Sequence, residues 1–334
     1  SFTLLHHDVF SATNSYMSSS RSLIIGAVAV TLGALWYLGG VGSPKHPEST
    51  KTPPNSAGVT LVKNAKGISL FTKSYPVESP KATILLVHGF GEHCQRLGYQ
   101  SLYERLNSAQ YTVHAYDHQG HGLSGGIRAH VEEYNDYVDD FLQMVDHFSS
   151  GDEKFYVIAH SMGGLIVSSA AERIPSHVNG VIMTAPFLKL AGDIDNPVLG
   201  AIVGGLASIY PHMPVANEDL SKKVSRSPAA QKAYAEDPLV YHGPTRAHFA
   251  SQVLPSGPKS VQNAKSFVAP LLVFHGTDDK ITDFETSKAY TESVGSEDKT
   301  FESLKDFYHE PFEDPDVELF YSKMMSWLKQ RVSV

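Results

Sequence analysis

Residues 155–166, FYVIAHSMGGLI, constrain this chain more than any other segment. An apolar run of strand character meets small residues around one serine, and helical spacing resumes at once. Ala159-His160-Ser161-Met162-Gly163 has the form of the sharp strand-to-helix turn usually written G-x-S-x-G. Such a turn holds the serine in a strained backbone conformation, and its flanks must lack bulk for the chain to close. Ala159 stands where glycine is usual, and alanine is the next smallest residue. The helix that starts at the serine favours negative charge at its N-terminus.

Strand and helix patterns alternate on both sides of this turn. Strands are expected at 68–75, 82–88, 111–116, 154–160, 178–184, 269–275 and 300–304. The run ATILLVH at 82–88 is continuously apolar, as in a strand buried on both faces. Helices are expected at 96–108, 131–148, 162–172, 283–294 and 316–332. In the second of these, Tyr134, Val138, Phe141, Leu142 and Val145 share one face. The alternation predicts an α/β fold, with a mostly parallel central sheet and helices on both faces.

The pattern breaks at about 186–264. An apolar stretch at 197–210 contains Gly200, Gly204 and Gly205, and a polar stretch with Asp219, Lys222, Lys223 and Arg226 follows. An insertion here would lie over the C-terminal ends of the strands, where ligands bind in open α/β sheets. A helical cap is therefore expected, although ordinary core packing accounts for the apolar helix equally well.

A serine hydroxyl needs a base, and the base needs an orienting acid. In folds with this turn the chain order is Ser, then Asp or Glu, then His. Past the strand APLLVFH comes Gly276-Thr277-Asp278-Asp279-Lys280. Asp279 is the favoured acid, with Asp278 and Asp283 as competitors. His309 lies between the last strand and the last helix, and position in that order singles it out among 17 histidines. An anionic intermediate needs preset donors. One is the amide after the serine, that of Met162; the other is assigned to Phe90 in the early loop HGFG, a run that also suits a simple tight turn. His118 and His121 fall in a glycine-rich loop with no cysteine or carboxylate cluster to complete a site, so no metal is expected. His160 is expected to pack locally.

The formal net charge of −8 and the lack of a basic stripe argue against a nucleic-acid partner. The single cysteine, Cys94, excludes an intrachain disulfide. Near the start, 23–41 (LIIGAVAVTLGALWYLGGV) carries no charge, and Trp36 and Tyr37 sit near one end. The run approaches the roughly 20 residues that span a hydrocarbon core, so a signal anchor over 22–42 is expected, with a cleaved signal peptide as the rival. Arg21 before it, against Lys45 and Lys51 after it, points to a cytosolic catalytic domain, with the endoplasmic reticulum as one candidate membrane. The expected organisation is a leader at 1–21, with Met17 as a candidate start, then the anchor, a proline-rich linker at 43–57 and one domain over 58–334. The sequence assigns no oligomeric state.

HGFGEHCQR, YDHQGHGLSGG, AHSMGG, HGTDDKITD and FYHE together resemble the monoacylglycerol lipase / lysophospholipase group of α/β-hydrolases, over roughly 60–328. The resemblance implies the α/β-hydrolase fold, a triad of Ser161, Asp279 and His309, and oxyanion amides on Phe90 and Met162. It also implies polar contacts to the alcohol side of the ester from Glu92 and Arg96. Phe312 stands where the animal members carry a second histidine. The expected function is a membrane-anchored serine hydrolase that cleaves monoacylglycerols or lysophospholipids through an acyl-enzyme, with a lipid ester as partner and no cofactor. The rivals are a short-chain or aromatic carboxylesterase, a peptidase, and a non-catalytic binding member.

Overall fold

The structure, a computed structural model, describes residues 56–149, 153–192 and 197–332. The expected leader and anchor lie outside these residues, as does the linker apart from Ser56 and Ala57. Among the described residues, no helix is long and apolar enough to cross a membrane.

A hairpin opens the domain: β1 (Val59–Lys63) pairs antiparallel with β2 (Ser69–Tyr75). The alternating units that follow are β3 (Ala82–Val87), α1 (Leu97–Ser108), β4 (Tyr111–Tyr116), α2 (Tyr134–Phe148), β5 (Phe155–His160), α3 (Met162–Ser169) and β6 (Val178–Thr184). An insertion then carries α4 (Pro197–Ile209), β7 (Pro214–Ala216), α5 (Ser221–Val224), α6 (Pro228–Glu236), β8 (Thr245–Arg246), α7 (Ala247–Val253) and α8 (Ser256–Gln262). The sheet resumes with β9 (Leu271–Gly276), α9 (Phe284–Ser293), β10 (Lys299–Leu304) and α10 (Val317–Val332).

The main sheet has the order β1-β2-β4-β3-β5-β6-β9-β10. From β4 to β10 every pairing is parallel, and β2 meets β4 antiparallel. The sheet is an α/β-hydrolase arrangement. Side chains alternate between its faces, as strand geometry requires. Leu85 and Val87 of β3 enter one core layer with α2 and α3, while Ile84 and Leu86 enter the other with α1 and α10. After β3 the chain crosses to β4 on one side, then returns to β5 on the other. The reversal opens a crevice at the C-terminal ends of β3 and β5, the place where such sheets bind ligands.

Three details differ from the sequence expectation. β1 was not expected; it is a short edge strand with Leu61 half exposed, so it lacks the buried pattern that marks the inner strands. The helix expected from 131 begins at Tyr134, because the Glu133 amide donates to Asp136 Oδ2 at 3.2 Å and caps it there. The helix expected to run to 172 ends at Ser169, and a 3-10 turn, Ala171–Arg173, takes over.

Candidate active site

Ser161 sits between β5 and α3 with φ 51° and ψ −115°, a conformation few non-glycine residues adopt. The surroundings hold it there. Its amide donates to the Thr184 carbonyl at 3.0 Å, and its carbonyl accepts from Phe187 at 2.9 Å and Leu165 at 3.2 Å. The turn closes only because Gly163 has no side chain. A Cβ there would overlap the Val87 carbonyl oxygen and lie 2.8 Å from that of His88. Ala159 is fully buried and in register with Val87 and Met183. Ser161 is 8% exposed, at the wall of a cavity.

His309 reaches the same cavity from the loop after β10. Its Nδ1 donates to Asp279 Oδ2 at 2.8 Å. The Asp279 side chain is fully buried, in the loop after β9. Its Oδ1 accepts the Ile281 and Thr282 amides at 2.7 and 3.0 Å, and its Oδ2 accepts the Thr282 hydroxyl at 2.7 Å. His275 Nε2 lies 3.1 Å from the same oxygen. Burial disfavours the ionised Asp279, but His309 and His275 outweigh it and hold the carboxyl well below its usual range. Burial also acts downward on His309, yet the charge and hydrogen bond of Asp279, with Glu310 and Glu92, keep it above its ordinary value. The two competing acids lie elsewhere. Asp278 is exposed, and Asp283 caps α9 by accepting the Thr286 amide at 2.8 Å.

The HGFG loop follows β3 and approaches the serine closely: a Cβ on Gly89 would lie 3.1 Å from Ser161 Cβ. Phe90 and Met162 both line the cavity. Met162 opens α3, so its amide has no acceptor within the helix. Buried histidines fix the loop. His88 Nδ1 donates to the Gly89 carbonyl at 2.7 Å, and His118 Nε2 donates to the His88 carbonyl at 2.9 Å. His121 Nδ1 donates to Gln119 in its own turn, at 3.1 Å. Burial lowers His118 to about 4 and His121 to about 3, so both rings are neutral. His160 packs beside His309, with ring centroids 4.7 Å apart, and binds the Thr184 hydroxyl at 2.9 Å.

Glu92 and Arg96 occupy different places. Glu92 lines the cavity; its Oε2 accepts the Gly89 amide at 3.1 Å and the Tyr99 hydroxyl at 2.6 Å. Arg96 is not among the lining residues and is 2% exposed. Its Nη1 donates to Glu92 Oε1 at 2.5 Å and Glu310 Oε1 at 2.6 Å, and its Nη2 to Glu310 Oε2 at 2.7 Å and to Glu313. The Tyr234 ring covers the guanidinium at 4.9 Å. Burial and the Glu310 charge push Glu313 up to about 9, so it is neutral near pH 7 and one negative charge around Arg96 is removed. Phe312 packs against Tyr99 and His160.

The cavity has a volume of about 470 Å³, within the range of small-molecule sites. Apolar side chains dominate its wall: Phe187, Leu188, Val203, Phe249 and Val253 among them, most from the insertion. Sequence reasoning missed Thr282, His275 and Glu310. Thr282 lies in the same HGTDDKITD run as Asp279, so proximity to the acid was a usable signal. His275 opens that same run, four residues before Asp279, whereas Glu310 gains Arg96 only through the tertiary fold.

The family model described as serine aminopeptidase, S33, matches residues 78–316. A monoacylglycerol lipase of Mycolicibacterium smegmatis is 34% identical over 255 residues, 76% of this chain and 90% of that protein. The monoglyceride lipase of Rattus norvegicus is 30% identical over 299 residues, 87% of this chain and 97% of that protein. Among solved structures, the monoacylglycerol lipase of Paleococcus ferrophilus matches with a TM-score of 0.69 and 33% identity, over 78% of this chain and 99% of that one.

Proposed function

This chain belongs to the α/β-hydrolase family described as serine aminopeptidase, S33, in its monoacylglycerol lipase type, and on that premise we propose that it hydrolyses the ester bond of long-chain monoacylglycerols through an acyl-enzyme on Ser161. One observation carries the reading. Ser161 and His309, the latter bonded to Asp279, open into a single apolar cavity large enough for an acyl chain.

In this reading the reaction runs through two half-reactions. Ser161 Oγ attacks the ester carbonyl carbon while His309 Nε2 takes its proton. Asp279 holds the imidazole in the tautomer with Nδ1 protonated and stabilises the imidazolium that forms. The carbonyl oxygen becomes an oxyanion, and the Phe90 and Met162 amides stabilise it. The C–O bond to the alcohol breaks, and His309 returns its proton to the leaving oxygen. Water, deprotonated by His309, then attacks the acyl-enzyme. The fatty acid leaves and Ser161 is restored. Glu92 lies on the cavity wall, near enough to meet the alcohol, whereas Arg96 acts through Glu92 rather than on substrate.

The peptidase in the family description has less support. An aminopeptidase needs a carboxylate free to hold a substrate ammonium. Glu92 is already committed to Gly89, Tyr99 and Arg96, and the rest of the wall is largely apolar.

The insertion over about 186–264 serves in this reading as a cap. Ile202 and Ile209 of α4 are 41% and 70% exposed, which suits contact with the bilayer that supplies the substrate. Residues 22–42 anchor the chain to that bilayer, with the catalytic domain on the cytosolic side. Resistance of the full chain to carbonate extraction, lost on deletion of 1–42, tests the anchor.

A chain-length series with purified protein tests the substrate. Monoacylglycerols of long chain should be cleaved with the highest kcat/KM. Cleavage confined to short or aromatic esters would reassign the enzyme to the carboxylesterases. An intact chain that a fluorophosphonate fails to label would mark a binding protein instead.

A further inference from the structure

His130, Glu132 and His248 stand apart from the candidate active site. His130 and Glu132 lie in the loop before α2, and His248 lies in the first turn of α7. Their ligand-capable atoms all fall within 4.8 Å of one another. His130 Nε2 and Glu132 Oε2 are 3.6 Å apart. Two ligands of a tetrahedral zinc ion, each at about 2.0–2.1 Å, sit roughly 3.3 Å from one another, so little movement is needed.

The imidazoles are prepared for such an ion. His248 Nε2 donates to the Glu132 backbone carbonyl at 2.9 Å. That bond fixes the tautomer and leaves Nδ1 with its lone pair, the arrangement that outer hydrogen bonds give metal-bound histidines. The His130 side chain is only 9% exposed, and its Nδ1 is buried with no hydrogen-bond partner. Its ring centroid lies 5.0 Å from that of His248 and 5.4 Å from that of His212, between α4 and β7. Glu132 is 75% exposed and can turn inward from solvent.

We propose that His130, His248 and Glu132 form a binding site for one divalent ion of the zinc class, with water completing the coordination. Imidazole nitrogens with one carboxylate suit zinc and its neighbours in the first transition row, whereas magnesium and calcium take oxygen ligands. The ion has no part in the hydrolytic chemistry. It ties α7, and with it the insertion, to the loop that leads into α2. Phe249, one residue beyond His248, lines the cavity and lies over Phe90 with ring centroids 4.5 Å apart. Metal binding therefore stiffens one wall of the acyl cavity.

The test titrates Zn²⁺ into the full chain after chelation and desalting, followed by calorimetry. Co²⁺ absorption gives a second readout. One equivalent should bind, Co²⁺ should show the intense visible bands of a tetrahedral site, and Zn²⁺ should raise Tm. His130→Ala and His248→Ala should each weaken binding by about tenfold or more, at least the loss seen for outer-shell partners. Glu132→Gln should weaken it with no change in the Tm of the metal-free protein, since Glu132 is exposed. His177→Ala, at an exposed histidine, should bind as the parent does. The proposal is overturned if the parent binds no Zn²⁺. It is equally overturned if Glu132→Gln and the two histidine variants bind with the parent's affinity and spectrum.

Discussion

Arg96 holds both carboxylate oxygens of Glu310, the residue next to His309, at 2.6 and 2.7 Å, although the two lie 214 residues apart. The same guanidinium holds Glu92, whose other oxygen accepts the amide of Gly89 in the early loop. One buried cation therefore links the loop of His309 to the HGFG loop that carries Phe90. Arg96→Met should leave Glu92 and Glu310 buried without their partner and cost about 3–5 kcal/mol. Glu313→Gln should cost about 1 kcal/mol or less, because Glu313 is already neutral near pH 7. Urea unfolding of the two variants beside the parent checks the contrast; equal losses would remove Arg96 from this role.

The elbow gives a second prediction. Gly163→Ala puts a Cβ against the carbonyls of Val87, at the end of β3, and His88, which is held by His118. The expected loss is about 3 kcal/mol or more, read from the shift of the urea midpoint.

In the proposed mechanism His309 must be neutral to accept the serine proton. Its pKa lies above the ordinary histidine value, so kcat/KM should rise with pH through a midpoint above about 6.5 and then level. Asp279→Asn removes the charge that raises this pKa. The midpoint should then move to lower pH, and kcat should fall by about 10⁴-fold, because the imidazole is no longer held in its working tautomer. A pH profile of both enzymes checks the sign: an unmoved midpoint would break the link between Asp279 and His309.

These expectations were only partly legible in the sequence. The inner strands announce themselves as continuous apolar runs, since a strand covered on both faces admits little else. β1 does not, because an exposed edge strand has no such pattern. The positions of Ser161, Asp279 and His309 follow from chain order, as each lies just past a strand. The setting of Arg96 was not legible. Motif likeness pointed it at the substrate, whereas two of its three partners, Glu310 and Glu313, reach it only when α1 meets the loop after β10. Glu310 shows the same limit: it meets Arg96 through folding, with no spacing that marks it beforehand.

In the proposed function the cavity wall sets chain-length preference. Val203 on α4 is buried and lines the cavity. Val203→Trp should lower kcat/KM for a long-chain monoacylglycerol by about tenfold or more and spare a butyrate ester. A chain-length profile checks this; a uniform loss across lengths would show that Val203 does not border the acyl chain.

Fatty-acid release from a long-chain monoacylglycerol, by the full chain and by Ser161→Ala, tests the central claim most directly. Turnover by the parent, with a loss on the order of 10⁶-fold in a folded Ser161→Ala variant, is the predicted result. Release that survives the substitution would contradict it, because the acyl group would then have no need of Ser161.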